Sequence, residues 1–197
     1  MPKGIPLTEE EIHNRRVEIS QAAVRLILEK GFQETSMREI AQAAGMGKSS
    51  LYDYFRTKDE ILIFVLEEKT AELNERARAI ANLNLPPDER LRRIERMHLQ
   101  FMQENQNLFS RLSFQAQRLK VENQKRIQKG RYAFQDMVAE IIQEGIDQGI
   151  FRAVNPLNSA RLLVNSIVSV LYTTRPTGTP EEMQAEAVDI FLKGIKK

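Results

Sequence analysis

The stretch from Thr35 to Lys58, TSMREIAQAAGMGKSSLYDYFRTK, constrains the fold more than any other part of the chain. Ser36 and Glu39 stand at capping-box spacing: the hydroxyl accepts an orphan N–H of the first turn and the carboxylate reaches back. The helix they open, Met37–Ala44, buries Ile40 and Ala44 and leaves Arg38 near its exposed start. Gly45 supplies the turn, and the small Ala41 and Ala44 let another helix approach closely. The next helix runs from about Lys48 to Phe55. Leu51 and Phe55, at i and i+4, face inward, so Lys48, Ser49 and Tyr52 lie on another face. Two short helices about a glycine turn form a helix-turn-helix, whose second helix fits the DNA major groove.

The flanking sequence reads as helix throughout. Leu7–Lys30 places Ile12, Ile19, Ala22, Ala23, Leu26 and Ile27 on one face; Thr8 and Glu11 cap its start and Gly31 ends it. Thr57 and Glu60 form a third capping box, opening a long helix to about Ala81. Pro86 and Pro87 break the chain and start another helix, with a bend near Asn105–Asn107. Val121–Gln148 is a long helix, Pro156 starts one reaching about Thr174, and Glu181–Lys193 is the last. No segment alternates convincingly as a strand. The expectation is an all-α fold of about nine helices, with a three-helix DNA-binding domain over residues 1–56 and a helical effector-binding and dimerisation domain over residues 57–197.

Composition narrows the function classes. The chain has no cysteine, which excludes disulfides, thiolate metal sites and a cysteine nucleophile. No phosphate-loop, dinucleotide-binding, zinc-protease or nucleophile-elbow motif is present, and His13 and His98 lie far apart in sequence. No enzyme activity, metal or cofactor is expected. The start, MPKGIPLTEEE, lacks the apolar run of a signal peptide, and Leu162–Tyr172 is too short and too polar to span a bilayer. A cytoplasmic protein without membrane contact is expected. The net charge is +2, from 29 basic and 27 acidic residues. The first sixty residues hold nine Lys/Arg against ten Asp/Glu, so DNA binding must rest on charges gathered on one face.

The second helix carries suitable groups. Lys48 reaches guanine O6/N7 or a phosphate, Ser49 permits close approach, and Tyr52 meets a thymine methyl or a phosphate. Ser36, Ser50, Tyr54 and Lys58 suit phosphate contacts. The same segment resembles the DNA-binding signature of the TetR/AcrR family of bacterial transcriptional regulators. Thr35, Ser36, Ile40, Ala41, Ala44, Gly45, Leu51, Tyr52, Tyr54, Phe55, Lys58 and Glu60 match the pattern. The resemblance implies that Arg38, Lys48, Ser49 and Tyr52 face bases, and that Ser36, Ser50, Tyr54 and Lys58 meet phosphates. Two positions depart from it. Gly47 stands where relatives place a Ser or Thr cap, and Asp53 stands where a basic or aromatic residue is frequent. Asp53 is expected to point to solvent or to pair with Arg56 or Lys58.

A single recognition helix reads few base pairs, so a homodimer on a near-palindromic double-stranded operator is expected. The apolar helix from Pro156 and the last helix are the interface, through Leu163, Ile167, Val170, Leu171, Ile190 and Phe191; the competing reading makes the first of them the chain's own core helix. Met97, His98, Phe101, Met102, Phe114, Tyr132, Phe134 and Met137 are the expected lining of a pocket for a small apolar or amphipathic effector, with ordinary packing as the alternative for each. The basic run Lys120, Lys125, Arg126, Lys129, Arg131 reads as a solvated helix face, with a second anion-binding surface as its alternative. Two functions remain: a repressor released by a small molecule, or a DNA-binding regulator of the same fold controlled by a protein partner or acting without an effector.

Overall fold

A computed structural model describes residues 7–197. The leading MPKGIP, part of the stretch read as free of a signal peptide, lies outside the described residues. Among the described residues there are nine α-helices: α1 (Glu9–Lys30), α2 (Met37–Ala43), α3 (Lys48–Tyr52), α4 (Lys58–Ala81), α5 (Pro87–Glu104), α6 (Gln106–Gln117), α7 (Val121–Asp147), α8 (Pro156–Leu171) and α9 (Pro180–Ile195). Extended pairing is limited, among those residues, to an isolated antiparallel bridge between Phe151 and Lys196. None of the described helices is long and apolar enough to cross a membrane.

The chain divides into two compact units. The first comprises the chain up to Glu68 with Gln106–Ile127, the second Lys69–Asn105 with Gln128–Lys197. Packing groups the start of α4, all of α6 and the start of α7 with the N-terminal helices. The reason lies in the core: Leu108, Leu112 and Leu119 are buried with Ile19, Ile27, Ile40, Leu51, Phe55 and Ile61.

Local chemistry sets the elements of the first unit. Thr8 and Glu11 cap α1 reciprocally, and Gly31, at φ 96°, closes it through an N–H bond to Ile27 O. Ile12, counted on the apolar face, is instead exposed. At α4 the Thr57 hydroxyl accepts from Glu60 N at 3.1 Å, as its spacing predicts. The Glu60 carboxylate, however, accepts from Arg56 N at 2.7 Å, one residue before the expected donor.

In the second unit, Leu91, Ile94, Phe134, Val138, Ile142, Phe151, Leu163 and Leu192 form the core. Pro87 occupies the first turn of α5, Asn155 caps α8 by accepting from Asn158 N, and a Thr179–Glu182 capping box starts α9. α7 ends where the Phe151 ring lies against Gly145, so closely that a Cβ there would fall 2.2 Å from the ring. α8 stops at Leu171, short of the expected Thr174.

Candidate nucleic-acid interface

The helix-turn-helix fragment is built from the caps outward. Glu39 N donates to Ser36 Oγ at 3.3 Å, while Ser36 N and Oγ donate to Glu39 Oε2 at 2.9 and 2.7 Å. Lys30 at the end of α1 also pairs with Glu39. The Lys30 ammonium, then the Ser36 hydroxyl and N–H, hold the Glu39 carboxyl down to about 2. α1 and α2 are thus clipped together at the point where α2 begins.

The turn follows from one residue. Gly45 has φ 66°, the left-handed region that favours glycine, and Met46 N donates to Ala41 O at 3.0 Å. Gly47 then caps α3 with no side-chain hydrogen bond. α3 is shorter than expected, ending at Tyr52 rather than Phe55. Tyr54 N and Phe55 N both donate to Leu51 O, so a tight turn replaces the last helical turn. Leu51 and Phe55 are fully buried, which anchors α3 by one side.

The remaining side carries the predicted base-reading residues. Arg38, Lys48 and Ser49 are exposed, and Tyr52 is 42% exposed. Lys48 Nζ lies 5.9 Å from the Tyr52 ring centre, so the two side chains share one patch. Asp53 is exposed at the C-cap of α3.

The predicted phosphate residues divide. Ser50 is exposed. Tyr54 is half-buried against the core of the first unit. Ser36 already uses its hydroxyl proton on Glu39. Lys58 Nζ donates to the carbonyls of Phe32 and Gln33 at 2.7 and 3.1 Å and sits 4.8 Å from the Phe32 ring centre. Its charge is therefore engaged by carbonyls of the loop that follows α1.

Sequence reasoning missed Arg16. Its guanidinium lies 4.7 Å from the Phe55 ring centre and 4.5 Å from that of Phe64, which themselves meet edge to face at 5.5 Å. Arg16 thereby ties α1 to the end of the recognition segment and to α4. The signal was present: Arg16 lies between Ile12 and Ile19 on the helical stripe, where a cation needs an aromatic partner.

The model for bacterial regulatory proteins of the tetR family matches residues 19–64, and that for the tetracyclin repressor-like C-terminal domain matches residues 84–195. The chain belongs to the TetR family. The HTH-type transcriptional repressor KstR2 of Mycobacterium tuberculosis is 28% identical over 202 residues, spanning 95% of this chain and 96% of that one. The crystal structure of PfmR from Thermus thermophilus superposes with a TM-score of 0.72 at 28% identity, covering 91% of this chain and 99% of that chain. AibR, crystallised with isovaleryl coenzyme A and operator DNA, gives 0.68 at 25% identity, covering 89% and 97%. This TetR-family protein is a DNA-binding transcriptional regulator and not an enzyme.

The residues expected in the regulatory domain of this TetR-family regulator are only partly brought together. Met97, His98, Phe101, Met102, Tyr132, Phe134 and Met137 belong to the second unit, but Phe114 belongs to the first and is 61% exposed. Tyr132 is exposed as well. Phe101, Phe134 and Met137 are packed in the interior, and His98 is buried with its ring 4.9 Å from that of Phe134. Beside it stands the buried Glu95, whose Oε2 accepts from Gln184 Nε2 at 2.9 Å and lies 3.8 Å from His98 Nδ1. A cavity of about 140 Å³ opens between α5 and α9, lined by Arg92, Arg96, Leu99, Glu181, Gln184, Ala185 and Val188, none of them predicted.

The dimer residues also sort by face. Leu163, Ile167 and Val170 are buried within the chain, Leu163 with 1% of its surface exposed, and so serve its own core. Leu171 and Phe191 are half-buried. The free apolar side instead presents Leu162, Val168 and Tyr172 of α8, together with Ile190 of α9. Helical periodicity is sharp enough to define an apolar helix, but where almost every side is apolar it does not say which side is inward.

Proposed function

We propose that this regulator is a homodimeric repressor that binds a near-palindromic operator and is released by an amphipathic acyl thioester of coenzyme A. The observation carrying the DNA half is the exposed patch of Arg38, Lys48, Ser49 and Tyr52 on a segment anchored by the fully buried Leu51 and Phe55. Arg38, Lys48, Ser49 and Tyr52 read base edges, while Ser50, Tyr54 and, after exchanging their present partners, Ser36 and Lys58 meet phosphates. Support for the chemical class of the effector comes from AibR, crystallised with isovaleryl coenzyme A and operator DNA. The dimer forms through the exposed sides of α8 and α9, which contribute Leu162, Val168, Tyr172 and Ile190. Effector binding favours a dimer whose two recognition helices no longer match the spacing of successive major grooves. α4, whose residues belong to the first unit as far as Glu68 and to the second from Lys69, transmits the change.

The test begins with an operator selected from random-sequence duplexes. Lys48→Ala and Tyr52→Ala each cost about 1–3 kcal/mol on the selected site and relax base preference there. Titration with isovaleryl coenzyme A releases the wild-type protein, with a change in the distance between spin labels placed beside the two Lys48 residues. An unchanged distance at saturation would sink the role of α4. Control by a protein partner is the second reading, favoured by the close packing of Phe101, Phe134 and Met137. Acyl thioesters that bind nowhere on the protein would select it.

A further inference from the structure

The charge of the first unit is placed unexpectedly. Up to Glu68 the chain holds nine Lys/Arg against twelve Asp/Glu, whereas Gln106–Ile127 holds five against one. The positive excess of the unit that carries the helix-turn-helix therefore resides in α6 and the start of α7. Burial of Leu108, Leu112 and Leu119 turns the opposite side of this segment outward. Arg111 and Phe114 stand at i and i+3 on α6, Arg118 follows directly after its end, and Lys120, Val121 and Lys125 continue the surface. Phe114 and Val121 are 61% and 65% exposed, and the Arg118 guanidinium lies 5.6 Å from the Phe114 ring centre. Arg126 is tied to Glu67 by bonds of 3.0 and 2.9 Å and is not counted. Arg111, Lys120 and Lys125 form no ion pair among the described residues. Glu122 is the segment's lone carboxylate.

Two further contacts fix where this surface stands. Gln33 Nε2 donates to Gln115 Oε1 at 3.0 Å, and the Gln33 carbonyl accepts from Lys58 Nζ at 3.1 Å. α6 is thus bonded to the loop that leads into Ser36 and α2, one hydrogen bond away from the ammonium of Lys58. Gln124 Nε2 donates to the carbonyls of Gln117 and Leu119 at 2.9 and 2.8 Å, which holds the α6–α7 corner in one shape. The cations are presented on a braced corner bonded to the loop before α2, which limits the ordering that binding requires.

We propose that the α6–α7 corner is a second DNA-contacting surface, on which Arg118, Lys120 and Lys125 meet backbone phosphates flanking the operator. Phosphates recognise cations without regard to base sequence, and their neutralisation releases counterions. The exposed Phe114 and Val121 supply apolar contact with the sugars between them. The inference rests on the first unit's being the DNA-binding one, and it adds a contact outside the helix-turn-helix.

The experiment uses the full chain carrying Arg118→Gln, Lys120→Gln and Lys125→Gln together. Binding is measured against salt on two duplexes, one trimmed to the selected operator and one extended on both sides. On the extended duplex the slope of log K against log salt falls by about 0.9 for each phosphate that is no longer neutralised, affinity drops roughly tenfold or more, and base preference is unchanged. On the trimmed duplex variant and wild type coincide. Equal salt slopes on the extended duplex overturn the proposal. A variant altered only in its release by isovaleryl coenzyme A also overturns it, since the corner would then hold the phosphates of the thioester. Lys48→Ala run in parallel separates the two readings: normal operator binding by that variant would remove the helix-turn-helix assignment, whatever the corner does.

Discussion

At the scale of single residues, the interface depends on charges that are already engaged. Glu39 ties the start of α2 to Lys30 of α1, and its carboxyl is lowered from the ordinary 4.5 to about 2, first by Lys30 and then by Ser36. The folded state therefore binds this proton less readily than the unfolded chain does. The stabilisation is fully present above about pH 4.5 and is lost as pH falls through about 2. Urea midpoints followed from pH 6 to pH 2 should fall more steeply for wild type than for Glu39→Gln, with Lys30→Met between them. Parallel curves would show that the clip contributes nothing. Lys58 illustrates the same principle from the other side. A sequence pattern assigns it to phosphate, yet its ammonium bonds two carbonyls of the loop after α1. A phosphate contact by Lys58 would have to displace those two bonds.

At the scale of elements, the recognition helix is the least supported piece of the first unit. α3 has five residues, a glycine N-cap and no side-chain cap. What holds it is the burial of Leu51 and Phe55 and the clamp of Arg16 across Phe55 and Phe64. Isolated helices of this length do not persist, so α3 exists by tertiary packing. Gly47 has φ −71°, which any residue adopts, and a Cβ there would meet only Ser49 and Ser50 Oγ at 3.8 and 3.9 Å. Gly47→Ser should supply the missing acceptor and stabilise the protein by a few tenths of a kcal/mol. Slower amide exchange at Lys48–Tyr52 would report it, and faster exchange there would contradict it.

At the scale of the whole molecule, the two sides of α8 make opposite predictions. Leu163→Ala should destabilise the chain by about 2–5 kcal/mol, because it opens a hole in the core of the second unit. Leu162→Glu, at a residue 64% exposed, should leave the melting temperature of the isolated chain nearly unchanged and weaken self-association and operator affinity together. Sedimentation at several concentrations separates the two. Destabilisation by both variants without loss of association would place the interface elsewhere.

Much of this protein is legible in its sequence. The capping pairs Thr8–Glu11 and Ser36–Glu39, the stops at Gly31 and Gly45, the break at Pro86–Pro87 and the division at Asn105 are local events, decided by neighbours within a few residues. So is the family signature, because a recognition segment must repeat a fixed set of side chains at fixed spacing. Other features required the tertiary structure. That α6 joins the first unit, that Arg16 stacks on Phe55 and Phe64, that Lys58 bonds the loop after α1, and that Leu162 rather than Leu163 faces outward all depend on contacts between residues distant in sequence. Periodicity fixes which residues share a helix face. Which face is covered, and by what, is settled only when the helices pack, since burial is a property of the neighbours and not of the residue.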